Sequence, residues 1–365
     1  MKRLKIGILG TRGIPNYYGG FEQFAQYLSA GLQQRGHEVW VYNSHNHPYR
    51  EDVWNDVQII HCKDWEYKLG TAGQFLYDRN CLRDAASRGF DVLLHLGYTS
   101  DSVWHRRWPK STVNIVNMDG LEWQRKKYNR ITRWFLKKAE ALAAKYGDKL
   151  VADSRVIQQY LKEQYNKDAA YIPYAAELFT SPDANSLQQF SLQPNAYYLL
   201  IARMVPENNI EPVIKGYLAS TKKFPLVIIG NTSGRFGRHL VSKYNQPSIH
   251  FPGAVYDESL LNNLRYYCSA YFHGHSAGGT NPSLLEAMAC GCSIIAHDNP
   301  FNRAVLGDDA DYFKDESAIT KLLAREPDDS VKQKRRKSNA EKIITLYSTD
   351  KIIDAYENLM LNAVT

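Results

Sequence analysis

The sequence predicts an α/β protein of two domains, each built around a parallel β-sheet. The chain has 365 residues, which is more than one hydrophobic core ordinarily organises. From Lys5 onward, short apolar runs alternate with stretches of helical periodicity, the pattern of repeated βαβ units. A polar segment with two prolines, residues 179–195, interrupts this alternation. We therefore expect domains at residues 1–178 and 196–347, joined by this linker.

The first domain opens with a βαβ unit. Lys5–Leu9 is a short apolar strand, Phe21–Arg35 carries apolar residues at helical spacing, and Glu38–Tyr42 is the next strand. Strands joined by a helix in this way run parallel. The same reasoning predicts further strands at 57–61, 91–96, 112–117, 149–153 and 170–173, and a helix capped by Ser154 that runs to Tyr165.

The second domain repeats the alternation. Its first strand is predicted at Tyr197–Ala202, after the linker. Further strands are expected at 226–229, 249–255, 270–272 and 293–296. Helices are expected at 257–268 and 282–290, and others begin at Asp298, Asp328 and Thr349.

Composition excludes several classes of protein. A hydrophobic content of 44% and a charged content of 23% are values of a globular chain, not a disordered one. No apolar run approaches the length of a membrane helix, and the run after Lys5 is too short for a signal peptide. Five scattered cysteines suit a reduced cytoplasmic protein. The pairs His45/His47 and His273/His275 have no third ligand nearby in sequence, so no metal site is expected.

The formal charge of +7 lies entirely in residues 1–180, which suggests an anionic partner for that half. Much of it belongs to residues 122–149, where we predict a basic helix over Trp123–Tyr146 with aromatic residues among the bases. Two interpretations stay open: a solvated face, or a face that binds an anionic membrane. Nothing here matches a base-reading motif, so nucleic acid is not expected. The basic residues are Arg125, Lys126, Lys127, Arg130, Arg133, Lys137, Lys138, Lys145 and Lys149.

The stretch from His273 to Gly291 is the strongest candidate for a binding site. Gly278 and Gly279 lead to Asn281, a good N-cap, and to a helix that begins at Pro282. A glycine-rich loop at a helix N-terminus attracts anions, because amide groups and the helix dipole point at it. The same features also suit an ordinary strand–turn–helix connection.

This stretch resembles the donor-binding signature of glycosyltransferase family 4, retaining enzymes with the GT-B fold. Glu286 matches the second Glu of the family motif, which binds the ribose of the nucleotide sugar. The first Glu position, which contacts the donor sugar, is Gly278. The run through Gly279, Thr280 and Asn281 is more similar to a rhamnosyltransferase branch that makes bacterial surface polysaccharides.

The resemblance extends to four other places. Gly19 and Gly20 match a glycine pair that faces the donor diphosphate, and Asp119 matches a polar residue near the acceptor and the anomeric carbon; a helix cap is the alternative role for Asp119. Arg203 matches one of two cations that clamp the diphosphate, and the position of the second, a Lys, is Asn208. Losing a cation weakens stabilisation of the leaving group. We therefore expect Arg235 or Arg238, in the loop after strand 226–229, to replace it.

The resemblance implies two Rossmann-like domains that face each other across a cleft. Residues 1–178 would bind the acceptor, 196–347 the nucleotide sugar, and 348–365 would form a helix packed on the N-terminal domain. The implied reaction is transfer of a sugar, with rhamnose a candidate, from a dTDP-, UDP- or GDP-sugar to a saccharide, carried on a lipid diphosphate, at the inner face of the membrane. No cofactor or metal is implied.

Three other functions are alternatives to this one. An epimerase of the same fold needs acid/base carboxylates and no acceptor. A non-catalytic binding protein is suggested by Gly278 and Asn208, which both depart from the family pattern. A dinucleotide-dependent dehydrogenase is disfavoured, because Gly7, Gly10 and Gly13 do not have the spacing of the dinucleotide fingerprint.

Overall fold

The computed structural model describes residues 2–17, 19–125, 128–221, 224–325 and 328–365. These residues divide into two units. The first contains the chain up to Gln124, Tyr128–Tyr174 and Thr349–Thr365, and the second contains Arg125 and Ala175–Ser348. Each unit is built on one sheet whose strands are parallel, apart from one short antiparallel edge strand in the first unit. The predicted α/β class with two parallel-sheet domains is confirmed.

The sheet of the first unit has eight strands in the order β3-β4-β2-β1-β5-β6-β7-β8. All neighbours pair in parallel except β3 and β4, which form a small antiparallel edge. The strand order reverses between β1 and β5, and ligands of such sheets bind at the carboxyl ends of strands beside this switch point. The strands are β1 Lys5–Leu9, β2 Glu38–Ser44, β3 Val53–Trp54, β4 Val57–Cys62, β5 Val92–Leu96, β6 Val113–Asn117, β7 Lys149–Ala152 and β8 Ala169–Tyr171.

The sheet of the second unit has six parallel strands in the order β11-β10-β9-β12-β13-β14. Its switch point lies between β9 and β12, which pair directly. The loops that follow these two strands therefore leave the same edge of the sheet side by side. The strands are β9 Tyr198–Ile201, β10 Leu226–Ile229, β11 Ile249–Gly253, β12 Ala270–His273, β13 Ile294–His297 and β14 Asp311–Phe313.

Helices connect the strands in both units, and none within the described ranges is long and apolar enough to cross a membrane. Ser154 caps its helix by accepting a hydrogen bond from the Val156 N–H at 3.2 Å, as predicted. The helices are α1 Gly20–Gln34, α2 Glu66–Leu69, α3 Thr71–Ala85, α4 Arg130–Tyr146, α5 Arg155–Tyr165, α6 Ile210–Leu218, α7 Arg235–Lys243, α8 Glu258–Tyr266, α9 Pro282–Ala289, α10 Pro300–Leu306, α11 Glu316–Ala324, α12 Asp329–Lys342 and α13 Thr349–Val364.

The basic helix begins later than predicted. Residues Glu122–Gln124 form a short 3-10 turn, and the helix α4 starts only at Arg130. The reason is local, because the Asn129 side chain accepts a hydrogen bond from the Thr132 N–H at 2.8 Å and so caps the helix there. Lys126 and Lys127, which the prediction included, lie outside the described residues.

The predicted linker, residues 179–195, needs correction because it is part of the second unit. It contains a 3-10 helix, Ala184–Phe190, whose Leu187 is fully buried. The Asp183 N–H also donates to Asn263 Oδ1 at 2.7 Å. An apolar side chain and a backbone hydrogen bond thus fix a segment that its polar composition suggested was free. The chain changes unit after Tyr174 instead.

The last helix, α13, packs within the first unit against α1. Ile353 lies so close to Gly31 that an added Cβ would come within 2.3 Å of its side chain. Glu357 receives hydrogen bonds from Arg35 Nη1 at 2.6 Å and pairs with His37 Nε2 at 2.9 Å. Burial alone raises the pKa of Glu357, but these hydrogen bonds outweigh it and hold the pKa below its usual value.

We predict that Glu357→Gln lowers the free energy of unfolding by about 2 kcal/mol at neutral pH, since it weakens charge-assisted hydrogen bonds in a buried place. A depressed folded-state pKa stabilises above the unfolded value of about 4.3, and the effect is lost as the pH falls through the folded value. The difference between variant and wild type should therefore vanish in acid. Urea denaturation at several pH values measures it.

The matched control is Asp354→Asn, which removes the exposed partner of the same Arg35. An exposed ion pair contributes less than about 1 kcal/mol. Equal losses in the two variants, or a difference between Glu357→Gln and wild type that persists in acid, would contradict the assignment.

Candidate functional site

Two neighbouring loops, residues 202–209 after β9 and residues 274–281 after β12, form the core of the candidate site in the second unit. Gly274 lies directly against the first loop, since an added Cβ would come within 2.0 Å of the Asn208 carbonyl oxygen. Asn209 Nδ2 donates to the Gly274 carbonyl at 2.7 Å, and Ser276 Oγ donates to the Glu207 carbonyl at 2.7 Å. The two loops therefore form one rigid surface at the switch point.

Arg203, predicted to be catalytic through the donor diphosphate, and Asn208, predicted to bind the donor, lie on the first loop in different settings. The Arg203 side chain is exposed, and its guanidinium has no hydrogen-bond partner in the part of the chain that the structure describes. Asn208 is buried, and its amide donates to the Arg203 carbonyl at 2.8 Å. Asn208 thus fixes the backbone that carries Arg203. Whether it also contacts the donor stays a prediction.

Glu207 is a site residue that sequence reasoning missed. Its side chain is 7% exposed, and both carboxylate oxygens are buried with no hydrogen-bond partner among the described residues. Asn208 Oδ1 is in the same state. A buried acceptor without a donor costs about 1–3 kcal/mol, so the loop is stable in spite of these groups. No pattern in the sequence distinguishes this Glu from an exposed one.

Two histidines that are neutral at physiological pH lie at the start of the second loop: His273 ends β12, and His275 is the second residue of the loop. Burial lowers the pKa of His273 well below its usual range. Burial also lowers the pKa of His275 to about 4, and the positive charges of Arg125 and Arg203 add to the effect. Arg125 belongs to the second unit, so two cations act on this place. Arg125 was predicted only as part of the basic helix.

The loop continues into the N-terminus of α9 as predicted. Gly278 has a φ of +112°, which strongly favours glycine, and Gly279 follows it. Thr280 is buried, and Asn281 Oδ1 accepts from the Ser283 N–H at 2.9 Å as the N-cap. The predicted cap is confirmed, and the loop delivers its backbone to a helix N-terminus where an anion is favoured.

Glu286, on the second turn of α9, is held by a buried arginine. Its Oε2 accepts from Arg265 Nη2, and the side chain remains 22% exposed. Burial raises the pKa of Glu286, and the charge of Arg265 opposes this rise. One carboxylate oxygen of Glu286 is therefore bound by Arg265, while the side chain remains partly accessible to solvent. Arg265 was not among the predicted site residues, since nothing in the sequence links it to Glu286 across 21 positions.

Arg235 and Arg238 are not on a loop as predicted but on the first turn of α7. The loop after β10 is only residues 230–234, because Gly234 is the N-cap of this helix. Both arginines are exposed, and the Arg238 guanidinium donates to the Ser233 carbonyl. The loop leaves the same edge of the sheet as the two site loops, and the role of its arginines stays a prediction.

In the first unit, the predicted glycines Gly19 and Gly20 lie at the start of α1. Gly19 is its N-cap and Gly20 its first residue. Glu22, nearly fully buried, accepts from the Arg12 N–H at 2.9 Å and from Thr11 Oγ1 at 3.2 Å. Glu22 thereby ties the loop after β1 to the helix, beside the switch point of this sheet. These hydrogen bonds give Glu22, two residues after the glycine pair, a structural role.

Asp119 follows β6 on the same sheet. Its carboxylate has no hydrogen-bond partner among the described residues, so it is not a helix cap. Buried tyrosines surround it: burial raises the pKa of Tyr174 and of Tyr356, and the charge of Asp119 adds to both shifts. The side chain is thus an uncommitted carboxylate at the carboxyl end of a central strand. Its predicted catalytic role is untested.

No group of three His, Cys, Asp or Glu side chains within the described ranges could hold a metal ion. His45 Nδ1 accepts from the Asp64 N–H at 2.8 Å, and His47 Nε2 lies 3.1 Å from the Pro15 carbonyl oxygen. These two histidines are therefore engaged by the backbone of neighbouring loops, those that follow β4 and β1.

Comparison with known proteins assigns the second unit. Residues 185–343 match the family Glycosyl transferases group 1. They form a group 1 glycosyltransferase domain. Residues 107–177 match a domain of unknown function, DUF1972, which contains Asp119 and α4. A curated relative, an uncharacterized glycosyltransferase of Methanocaldococcus jannaschii, is 24% identical over 180 residues, which are 46% of this chain. The match spans about half the length of that relative, 45%.

Solved structures similar to the whole chain are glycosyltransferases with the GT-B fold, and this chain has that fold. Sucrose-phosphate synthase from Thermosynechococcus elongatus superposes with a TM-score of 0.81 at 17% identity, and the match covers 100% of both chains. HepE of Anabaena in complex with UDP superposes with a TM-score of 0.75 at 13% identity, over 98% of this chain and 100% of that one. At these identities the likeness establishes the fold.

We predict that Gly278→Ala destabilises the second unit by about 1–2 kcal/mol, because the φ of +112° is strained for any L side chain. Space is not the reason, since the atom nearest to an added Cβ is His275 Nε2 at 3.7 Å. The control is Gly234→Ala, whose φ of −70° suits alanine and whose surroundings are open; it should lose only about 0.5 kcal/mol, because alanine is a poorer N-cap than glycine but suffers no backbone strain here. Equal thermal shifts in both variants would refute the strain.

Proposed function

We propose that this protein is a retaining glycosyltransferase of the family 4 type that transfers a sugar from a nucleotide sugar to a hydroxyl of a saccharide. Rhamnose is our candidate sugar and a lipid-diphosphate-linked saccharide our candidate acceptor, as in the synthesis of surface polysaccharide. The observation that carries the proposal is the convergence of Arg203, the Gly278–Asn281 turn and Glu286 at one edge of the second sheet. HepE, a structural relative, was solved with UDP-glucose, which supports a nucleotide-sugar donor.

The proposed reaction breaks the bond between the anomeric carbon and the diphosphate oxygen. Negative charge builds up on the leaving diphosphate, so catalysis requires positive groups that act more strongly in the transition state than on the bound substrate. The exposed guanidinium of Arg203 and the N-terminus of α9 are such groups. Neutral His275 adds no charge but can donate or accept one hydrogen bond.

In the retaining reaction we propose, the acceptor oxygen bonds to the anomeric carbon on the face that the diphosphate leaves. The proton of the acceptor hydroxyl passes to the departing diphosphate oxygen, which balances the charge. Asp119, uncommitted at the end of β6, is our candidate for orienting the acceptor hydroxyl. Glu286 is our candidate for the ribose. No metal or other cofactor takes part in this proposal, so chelation should leave the activity unchanged.

Two assays separate this function from its alternatives. Incubation with dTDP-, UDP- and GDP-sugars alone tests for an epimerase, which turns over without an acceptor. Addition of lipid-diphosphate saccharides tests for transfer, and NMR of the product gives the anomeric configuration. Turnover without acceptor, an inverted product, or donor binding with no turnover under any condition would each overturn the proposal.

We predict that Arg203→Ala lowers kcat by about a hundredfold with little change in the KM for the acceptor, as expected for a lost leaving-group contact. Because Asn208 occupies the position of the family Lys, one further cation should give a similar loss when removed. Arg235 and Arg238 are the candidates for this cation that the sequence suggests. Arg125 is a third candidate, because its positive charge contributes to the lowered pKa of His275. Asn208→Lys should then partly restore the activity of that second variant.

Steady-state kinetics of the four alanine variants decide the matter, with Lys321→Ala on α11 as an exposed control. If Arg203→Ala alone impairs turnover, the idea of a replacement cation is wrong and the leaving group depends on Arg203 and backbone amides. If Arg203→Ala is silent as well, the assignment of the whole clamp fails.

We further propose that α4 attaches the protein to the inner face of an anionic membrane. Its outward face carries Arg130, Ile131, Trp134 and Lys138 at helical spacing, and Ile131 and Trp134 are 79% and 62% exposed. Its other face buries Leu136 and Ala139, so the exposed apolar groups are not needed for folding. Apolar side chains among bases suit an interfacial helix, and each nearby base adds about 1 kcal/mol on anionic lipid.

We predict that the combined variant Ile131→Ser and Trp134→Ser weakens binding to vesicles with anionic lipid at least tenfold, because less apolar area is buried. Arg130→Glu with Lys138→Glu should do the same and remove most of the salt dependence. The control is Ile344→Ser with Leu346→Ser, two exposed apolar residues of the second unit, which should bind like wild type. Equal sedimentation of all four proteins would return α4 to a solvated face.

A further inference from the structure

The ion pair between Arg265 on α8 and Glu286 on α9 has a geometry that suits a function beyond joining two helices. We propose that Arg265 is the positioning residue of the nucleotide site: it holds Glu286 Oε2 and so presents Oε1 to a ribose hydroxyl of the donor. This inference rests on the proposed function, because it requires Glu286 to contact the nucleotide.

Arg265 is the largest of the fully buried side chains in the described part of the chain. Its Nη2 donates to Glu286 Oε2, and its Nη1 donates to Asn262 Oδ1 at 2.8 Å. A buried guanidinium is expensive unless it is paired and hydrogen-bonded. Two fixed acceptors at different nitrogens leave this planar group one orientation.

The backbone of Arg265 is anchored as firmly as its side chain. Its carbonyl oxygen accepts hydrogen bonds from Cys268 Sγ at 3.0 Å and from Cys292 Sγ at 3.2 Å. The preceding carbonyl, that of Leu264, accepts from Tyr197 Oη at 2.6 Å. Cys268 and Cys292 precede the strands β12 and β13. Their hydrogen bonds therefore fix the position of Arg265 relative to the sheet that carries the site loops.

Glu286 is arranged to receive a ligand on one side only. Oε2 is engaged by Arg265, whereas Oε1 has no partner within the described residues, and the side chain is 22% exposed. Burial raises its pKa, Glu258 on α8 raises it further, and Arg265 is the group that opposes both. Without Arg265 the carboxylate would lose its orientation and would take up a proton at higher pH.

A purely structural ion pair makes different predictions from a positioning one. In either case, replacing Arg265 is expected to lower the melting temperature. Only the positioning role couples Arg265 to the hydroxyl that Glu286 contacts. The test therefore measures binding of nucleoside diphosphates that differ by single ribose hydroxyls, and not stability.

The experiment first identifies which of UDP, dTDP and GDP binds the wild-type protein, by calorimetry. We then measure the Kd of that nucleotide, of its 3′-deoxy form and, where a 2′-hydroxyl exists, of its 2′-deoxy form. Each is measured for wild type, Arg265→Met, Arg265→Lys and Glu286→Gln. Arg265→Met keeps the volume and removes the charge. Lys215→Met, which breaks the exposed pair with Glu316, is the matched control.

We expect removal of the contacted hydroxyl to weaken binding to wild type about tenfold or more. In Arg265→Met and in Glu286→Gln the same removal should matter less than about threefold, and Arg265→Lys should recover part of the effect. As the pH falls, binding to Arg265→Met should weaken relative to wild type, because Glu286 takes up a proton at a higher pH in the variant than in the wild-type protein. Lys215→Met should behave as wild type.

The inference is overturned if the variants of Arg265 bind both nucleotides with the wild-type ratio and the wild-type pH dependence, whatever their melting temperature. Should Arg265→Met fail to fold, Arg265→Lys and the double variant Arg265→Met with Glu286→Gln, which buries no unpaired charge, give the same ratio test. If wild type binds none of the three nucleotides, the proposed function itself fails, and this outcome is distinct from a failure of the positioning role.

Discussion

The close approach of Gly274 to the Asn208 carbonyl is the constraint on which the second unit's site depends. Strands β9 and β12 pair directly at the switch point, so the loops that follow them are in contact as soon as they leave the sheet. Only a residue without a Cβ allows this contact. Once it is made, Asn209 and Ser276 join the loops by hydrogen bonds, and Arg203 and the start of α9 are held at one edge of the sheet. Rigid loops of this kind place charge where it is needed without reorganisation.

Electrostatics follow from this packing. Burial keeps His273 and His275 neutral, and the charges of Arg125 and Arg203 add to the effect at His275. The positive charge of the site therefore comes from groups that do not titrate near neutral pH. An anion therefore meets the same field across the physiological pH range. The two carboxylates of the site have different surroundings. Glu286 is paired with Arg265, whereas Glu207 is buried without a hydrogen-bond partner among the described residues.

Much of the fold could be predicted from sequence, because strands, caps and glycine turns are local signals. Ser154 and Asn281 cap their helices as expected, since capping depends on neighbours two or three residues away. The helix α7 could not be predicted, since its buried face is only Gly237 and Leu240 and tertiary packing holds it. The pair Arg265–Glu286 depends on a contact between residues far apart in sequence, which no periodicity encodes.

Buried polar groups without hydrogen-bond partners lower the stability of the folded protein at the places where they occur. Glu207, Asn208 and His273 each bury a polar atom that has no hydrogen bond within the described ranges. Glu207 and Asn208 lie on the first site loop, and His273 is the last residue of β12, just before the second loop. In a core selected for stability alone such groups are replaced by apolar ones, because each costs about 1–3 kcal/mol. These three residues lie beside a sheet edge where ligands bind, which is where a functional role is the expected reason for keeping such groups. Glu207 and Asn208 therefore give the first loop buried oxygen acceptors at the edge of the sheet where the second loop delivers the N-terminus of α9.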